Sequence, residues 1–307
     1  MINAARAGTD TPNVSPESVR EFFEGASADG DPRADVHLFF EDGDLIAYER
    51  TRRETWADGS RVYHIGTYLR PDRHEEGILA EILDHVLRYQ AEYATQDDTG
   101  AQAFLSAVPD PSNGLLVKGL LTAGFDVRHV FLSMKRSLPE AVEESTLPSD
   151  LEVQPLQEAS FRAIYDFDRR IMSGSWGIEA PSEQHFRWWS EEAFLNPELW
   201  CVAWSGDAIV GTAAGVVGGT WNPRLGGDRG EIRFVRVSPE YRRRGIATAL
   251  ILRCLNALRQ RGVREVELGV DGENENSAAA LYRRLGFEVE TQLTAYCRDI
   301  LPTPPAG

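Results

Sequence analysis

Along the carboxyl-terminal half of this chain the spacing of apolar positions changes from that of a strand to that of a helix. Val235 and Val237 alternate with Arg236, Pro239 ends the ladder, and Ile246, Leu250, Ile251 and Leu255 recur at helical spacing. The pattern predicts a strand, a turn and a helix. The turn holds Arg242, Arg243, Arg244 and Gly245, so the helix N-terminus follows a basic, glycine-containing loop. Unpaired N–H groups and the positive end of the helix dipole favour an anion such as a pyrophosphate there. Gly245 and the small Ala247 let it approach the backbone, Ile246 and Thr248 complete the first turn, and Arg242 adds charge-assisted hydrogen bonds.

A second signal follows. Residues 265–270 read as a strand, and residues 274–287 as a short helix carrying Tyr282 and closed by Gly286 at its C-cap. The order strand, Arg-x-x-Gly-x-Ala, helix, strand, then Asn274, Leu281-Tyr282 and Gly286-Phe287 resembles the GNAT superfamily of acetyl-CoA-dependent N-acyltransferases. The resemblance covers roughly residues 150–298. It implies acetyl-CoA as co-substrate. It also implies that the main chains of Val235, Arg236 and Val237 run beside pantetheine, with one N–H polarising the acetyl carbonyl. Tyr282 matches the tyrosine that protonates the departing thiolate in many relatives. Asn274 has the place of a cofactor-contacting Asn, although Asn276 could serve instead or one of them could cap the helix. Glu231, near the start of the cradle strand, is either the general base, acting directly or through water, or a solvated strand-end carboxylate.

The chain also repeats itself. Leu69-Arg70-Pro71 through Gly77-Ile78-Leu79 lies over Val237-Ser238-Pro239 through Gly245-Ile246-Ala247. Gly43-Asp44 lies over Gly206-Asp207, Thr55-Trp56 over Thr220-Trp221, and Gly124-Phe125 over Gly286-Phe287. The expectation is an α/β protein of two tandem GNAT-like domains, each a mixed, mostly antiparallel sheet flanked by helices. Residues 1–140 form a degenerate copy, short of a first strand and helix, and residues 150–300 the catalytic one, joined by a Pro-containing linker over 137–150. In the first copy His74 replaces Arg242, Glu75 and Glu76 replace the next arginines, Leu79 replaces Ala247, and Leu120 replaces Tyr282. Two carboxylates repel a pyrophosphate and Leu79 crowds it. This layout is similar to tandem GNAT acetyltransferases of the mycothiol synthase class. The match is partial, because Lys118 and Lys135 are the only lysines and neither lies in the second half.

Composition narrows the classes. A net charge of −16 and a pI near 4.9 argue against a general nucleic-acid binder. Cys201, Cys254 and Cys297 are far apart and read as buried free thiols, which suit a reducing compartment. The six histidines show no metal-ligand spacing, so no metal is expected. No apolar run has signal-peptide or membrane-spanning form, so a cytoplasmic protein without membrane partners is expected, monomer or homodimer. The acceptor is expected at residues 173–200, where Trp176, Trp188, Trp189 and Trp200 stand among Glu179, Glu183, Glu191 and Glu192. Aromatic walls with carboxylates suit a small-molecule amine or amino sugar. A non-catalytic acetyl-CoA-binding protein and an enzyme acting on peptide N-termini are the competing classes.

Overall fold

The computed structural model describes residues 36–95, 101–138, 142–154, 156–217, 228–272 and 278–300, with the backbone alone over 192–195. In chain order the elements are β1 (Val36–Glu41), β2 (Asp44–Thr55), β3 (Arg61–Leu69), α1 (Glu76–Ala94), β4 (Ala103–Ala107), α2 (Gly114–Thr122) and β5 (Asp126–Ser137). There follow β6 (Glu152–Gln154), α3 (Phe161–Met172), α4 (Glu183–Leu195), β7 (Trp200–Ser205), β8 (Ala208–Val216) and β9 (Arg229–Val237). Last come α5 (Ile246–Gln260), β10 (Glu265–Asp271), α6 (Ala280–Arg284) and β11 (Glu288–Asp299). The order from β1 to β5 thus recurs from β7 to β11. The first strand and helix expected to be missing from the first copy fall on residues outside those described, as do Thr220-Trp221.

Contacts divide the chain into two compact units, one of residues 1–130, 176–180 and 292–307, the other of residues 131–175 and 181–291. In the first, β1, β2 and β3 are antiparallel, β3 and β4 are parallel, and β4 pairs with the end of β11 from Tyr296↔Ala107 to Asp299↔Phe104. The apolar face of α1 buries Leu79, Ile82, Leu83 and Val86 with Ala47, Tyr63 and Leu105 of the sheet and Leu120 of α2. Segment 176–180 continues this sheet: Trp56 bridges Glu179, and Ala57 N–H donates to the Ile178 carbonyl at 2.8 Å. Trp176 packs edge-on against Trp56, 4.7 Å between centroids, and stacks on His129 at 4.5 Å.

In the second unit β6 to β9 are antiparallel, β9 and β10 are parallel, and β10 pairs with β5 from Glu265↔Ser137 to Asp271↔Phe131. One face buries Ile246, Leu250, Leu255 and Leu258 of α5 with Met134, Val266, Leu268 and Phe287. The other buries Phe161, Ile164, Tyr165 and Phe167 of α3 and Trp189 of α4 with Trp200, Val202 and Ala214. Sequence copies and compact units are therefore different partitions, because residues 131–137 of β5 belong to the second unit and residues 292–299 of β11 to the first.

Candidate active site

Strand β9 pairs with β10 only at Arg229, Gly230 and Glu231, opposite Glu265, Val266 and Glu267. Both strands run on, β9 to Val237 and β10 to Asp271, so beyond Glu231 they share no ladder and a wedge opens. On its other side β9 slips against β8, where Thr212 faces Arg236 and Ala214 faces Arg233. Phe234 and Val235 thus oppose a single residue. Phe234 takes the left-handed region at φ 51°, and its carbonyl accepts a 2.7 Å hydrogen bond from the Thr212 hydroxyl. A bulge of this kind leaves ladder groups unmatched and re-aims the strand. Val235, Arg236 and Val237 accordingly follow the bulge on the part of β9 that borders the wedge. In the first unit β3 pairs with β2 without a slip, from Ala47↔Leu69 to Thr55↔Arg61.

The basic turn forms as its residue types demand. A single 3₁₀ turn spans Pro239–Tyr241, Arg243 and Gly245 are left-handed at φ 63° and 80°, and α5 starts at Ile246. The first α5 hydrogen bond from outside the helix is Ala249 N–H to the Gly245 carbonyl at 3.0 Å, and no side chain caps the helix. The N–H groups of Ile246, Ala247 and Thr248 therefore lack intrahelical acceptors and suit phosphate oxygens. Arg242 and Arg243 are exposed beside them, and Arg242 Nε donates to the Val237 carbonyl at 3.2 Å. Arg244 instead pairs with Asp150 at 2.5 Å, and its guanidinium holds the Asp150 carboxyl below the usual range. The matching turn of the first unit is occupied by its own pairs, Arg70 with Asp72 at 2.6 Å and Arg73 with Glu41. Its Leu79 is buried against Gly119.

Tyr282 lies buried on α6, edge-on to Phe287 at 6.0 Å. Burial pushes its hydroxyl pKa above that of a free phenol, against the opposing field of Arg236. Glu231 is not a solvated strand end. Its side chain is 15% exposed and its Oε2 lies 2.8 Å from Arg233 Nη2. Asp168 on α3, which the pattern reading above passes over, is 2% exposed at its side chain. Its carboxylate takes Arg236 Nε at 2.8 Å and Arg169 Nη2 at 2.6 Å. A signal was present: Asp168 falls in helical register with Phe161, Ile164 and Tyr165 on an otherwise apolar face.

The tryptophan-walled acceptor site needs correction. Trp189 and Trp200 are core, 5.5 Å apart edge to face, and Trp176 packs in the first unit against Trp56 and His129. Burying large aromatic faces dominates what such side chains do. Glu183 is an exposed partner of Arg162 at 2.7 Å. Asn274 and Asn276 lie outside the described residues. Among the described residues no group of His, Cys, Asp or Glu is arranged to hold a metal, the cysteines are free thiols, and no helix is long and apolar enough to cross a membrane.

Residues 161–287 match the model of the Acetyltransferase (GNAT) family. A mycothiol acetyltransferase of Saccharomonospora viridis is 34% identical over 170 residues, 52% of this chain and 50% of that protein. The chain spans about half the length of the curated relatives it matches, another mycothiol acetyltransferase, from Geodermatophilus obscurus, being matched over 54% of its length. A solved GCN5-related N-acetyltransferase from Sphaerobacter thermophilus aligns with a TM-score of 0.76 at 24% identity, covering 98% of this chain and 91% of that one. A tandem GNAT protein from the clavulanic acid biosynthesis pathway aligns at 0.62 and 14%, covering 98% and 93%. At such identities the solved structures establish the fold, α/β with a mixed sheet and flanking helices.

Proposed function

We propose, from the premise that residues 161–287 belong to the GNAT acetyltransferase family, that this chain moves an acetyl group from acetyl-CoA to the primary amine of a small molecule. The observation that carries this reading is the Phe234 bulge at the wedge between β9 and β10, one turn ahead of an uncapped helix N-terminus. In this reading Arg242, Arg243, Gly245, Ile246, Ala247 and Thr248 receive the pyrophosphate, with Arg244 braced on Asp150 at the rim. Main-chain groups of Val235, Arg236 and Val237 run beside the pantetheine arm, and one N–H polarises the acetyl carbonyl. The amine nitrogen attacks the thioester carbonyl directly, the C–S bond breaks, and Tyr282 donates a proton to the departing thiolate. Glu231 accepts the proton shed by the amine, directly or through water. Asn274 is an additional candidate contact to the co-substrate.

Residues 150–300 are read as the catalytic copy and residues 1–140 as a degenerate one that binds no acetyl-CoA. The unbulged β3, the carboxylates Glu75 and Glu76, and Leu79 against Gly119 support that division. The acceptor class is an amine, an amino sugar or a cysteinyl-sugar amine, the last suggested by the name of the mycothiol acetyltransferase relatives. The test is release of CoA thiol from acetyl-CoA across a panel of amines, amino sugars, aminoglycosides and peptides. Amine-dependent release that disappears in Tyr282→Phe supports the reading. Tight acetyl-CoA binding with no release in the whole panel favours a non-catalytic binding protein.

A further inference from the structure

The charged side chains along β9 are not evenly balanced. Thr212 and Ala214 are two apart on β8 and share a face, so their partners Arg236 and Arg233 do too, on the side packed by α3. Near the start of the strand Arg233 stands between Glu231, 2.8 Å away, and Glu267, whose field acts on it. That end carries an excess of negative charge. At the bulge the balance reverses, since Arg236 and Arg169 share the single carboxylate of Asp168, at 2.8 and 2.6 Å. The field of Arg170, next along α3, acts on Glu240, and Tyr282 beside Arg236 is an uncharged phenol.

Among the described residues, two guanidinium groups on one buried carboxylate leave one positive charge unmatched. Arg169 and Arg236 are 15% and 21% exposed at their side chains, so neither side chain is sealed from solvent. Guanidinium forks match the planar or tetrahedral array of oxyanion oxygens. We propose that the acceptor carries an acidic group, carboxylate or phosphate, in addition to its amine, and that this group docks on Arg236 and Arg169. Asp168 holds the two forks in place while leaving their surplus charge for the ligand. This rests on the acetyltransferase reading above and narrows its substrate class to amino acids, short peptides or amino phosphates.

The experiment compares matched acceptors that differ only in the acid, with acetyl-CoA saturating: L-leucine with L-leucinamide, glycylglycine with glycylglycinamide, and phosphoethanolamine with ethanolamine. The expected result is a preference in kcat/KM for the acidic member of at least one pair by about tenfold to a hundredfold, the worth of a charge-assisted contact. The pair showing it distinguishes carboxylate from phosphate. Arg169→Met should bring that ratio toward one, and Arg169→Lys, which keeps charge but not the fork, should leave it between. Where no acceptor turns over, calorimetry of N-acetyl-L-leucine, N-acetylglycylglycine and phosphoethanolamine on the CoA complex decides, binding being expected in the wild type and loss in Arg169→Met. Equal rates within every pair, or no acid bound to the CoA complex, overturns the inference and leaves the acetyltransferase reading standing. Failure to bind acetyl-CoA at all overturns both.

Discussion

The Thr212 hydroxyl holds the Phe234 carbonyl at 2.7 Å, and so pins the single left-handed residue of β9 at the point where its ladder with β8 slips by one residue. The hydroxyl belongs to a buried residue and the hydrogen bond it makes is half-buried, so its loss leaves the Phe234 carbonyl without this donor. Thr212→Val keeps the shape and removes the donor. It should lower the unfolding free energy by about 0.5–1.5 kcal/mol, the net worth of one hydrogen bond, and reduce kcat as the bulge relaxes. Denaturant midpoints with steady-state kinetics check this, and a variant unchanged in both would show that the bulge is held by other forces.

Gly245 sits at φ 80° with open space around its missing Cβ, so backbone strain, not crowding, opposes a side chain there. Gly245→Glu combines that strain, about 1–2 kcal/mol, with a carboxylate in the phosphate cradle. Arg242→Glu makes the same electrostatic reversal without the strain. Calorimetry should find one acetyl-CoA per wild-type chain and none measurable in either variant. Two equivalent sites, or binding indifferent to both substitutions, would refute a single cradle at α5.

In the first unit a Cβ on Gly119 would lie 2.5 Å from Leu79 Cδ2, with Leu79 itself 1% exposed. Overpacking of this kind costs about 1–3 kcal/mol. Gly119→Ala should therefore lower thermal stability while leaving kcat and the acetyl-CoA stoichiometry alone. A loss of acetyl-CoA binding in this variant would contradict a degenerate first copy.

Local signals made the cradle legible. Proline, glycine and a switch from strand to helical spacing are enough to place a strand, a turn and a helix at Val237, Gly245 and Ile246. The bulge at Phe234 was not legible, because a one-residue slip depends on what β8 offers opposite, and nothing in Arg233-Phe234-Val235 announces it. Long-range pairing hid the partition into units for the same reason: β5 and β11 alternate as strands whichever ladder they join, and local pattern does not say which strand they meet. Trp189 and Trp200 misled because aromatic spacing looks alike in a pocket wall and in a core. Asp168 was visible as a charge on an apolar helix face, but its meaning came only with Arg236 beside it.

Tyr282 is expected to remain a proton donor over an unusually wide range. Burial raises its pKa above the ordinary phenol value near 10, and the Arg236 field only partly opposes this, so the protonated form persists to higher pH than in a free tyrosine. Tyr282→Phe keeps the ring packed on Phe287 and removes the proton. Its kcat should fall by about 10² to 10⁴ with little change in acetyl-CoA affinity. A variant as fast as wild type would return Tyr282 to a packing role alone.

Glu231 and Arg233 form an ion pair 2.8 Å long at the throat of the wedge, so the test of a general base there must separate proton transfer from positioning. Glu231→Gln preserves size and most packing, and it leaves Arg233 with the field of Glu267. If Glu231 or its bound water takes the proton of an ammonium acceptor, the variant should lose most activity at low pH, where the free amine is scarce. The defect should shrink as pH rises and the amine deprotonates without help. Profiles of kcat/KM against pH for wild type and variant, with acetyl-CoA saturating, report the difference directly. An equal loss at every pH would make Glu231 a residue that orients the acceptor through charge, and no loss at any pH would leave it as the partner of Arg233.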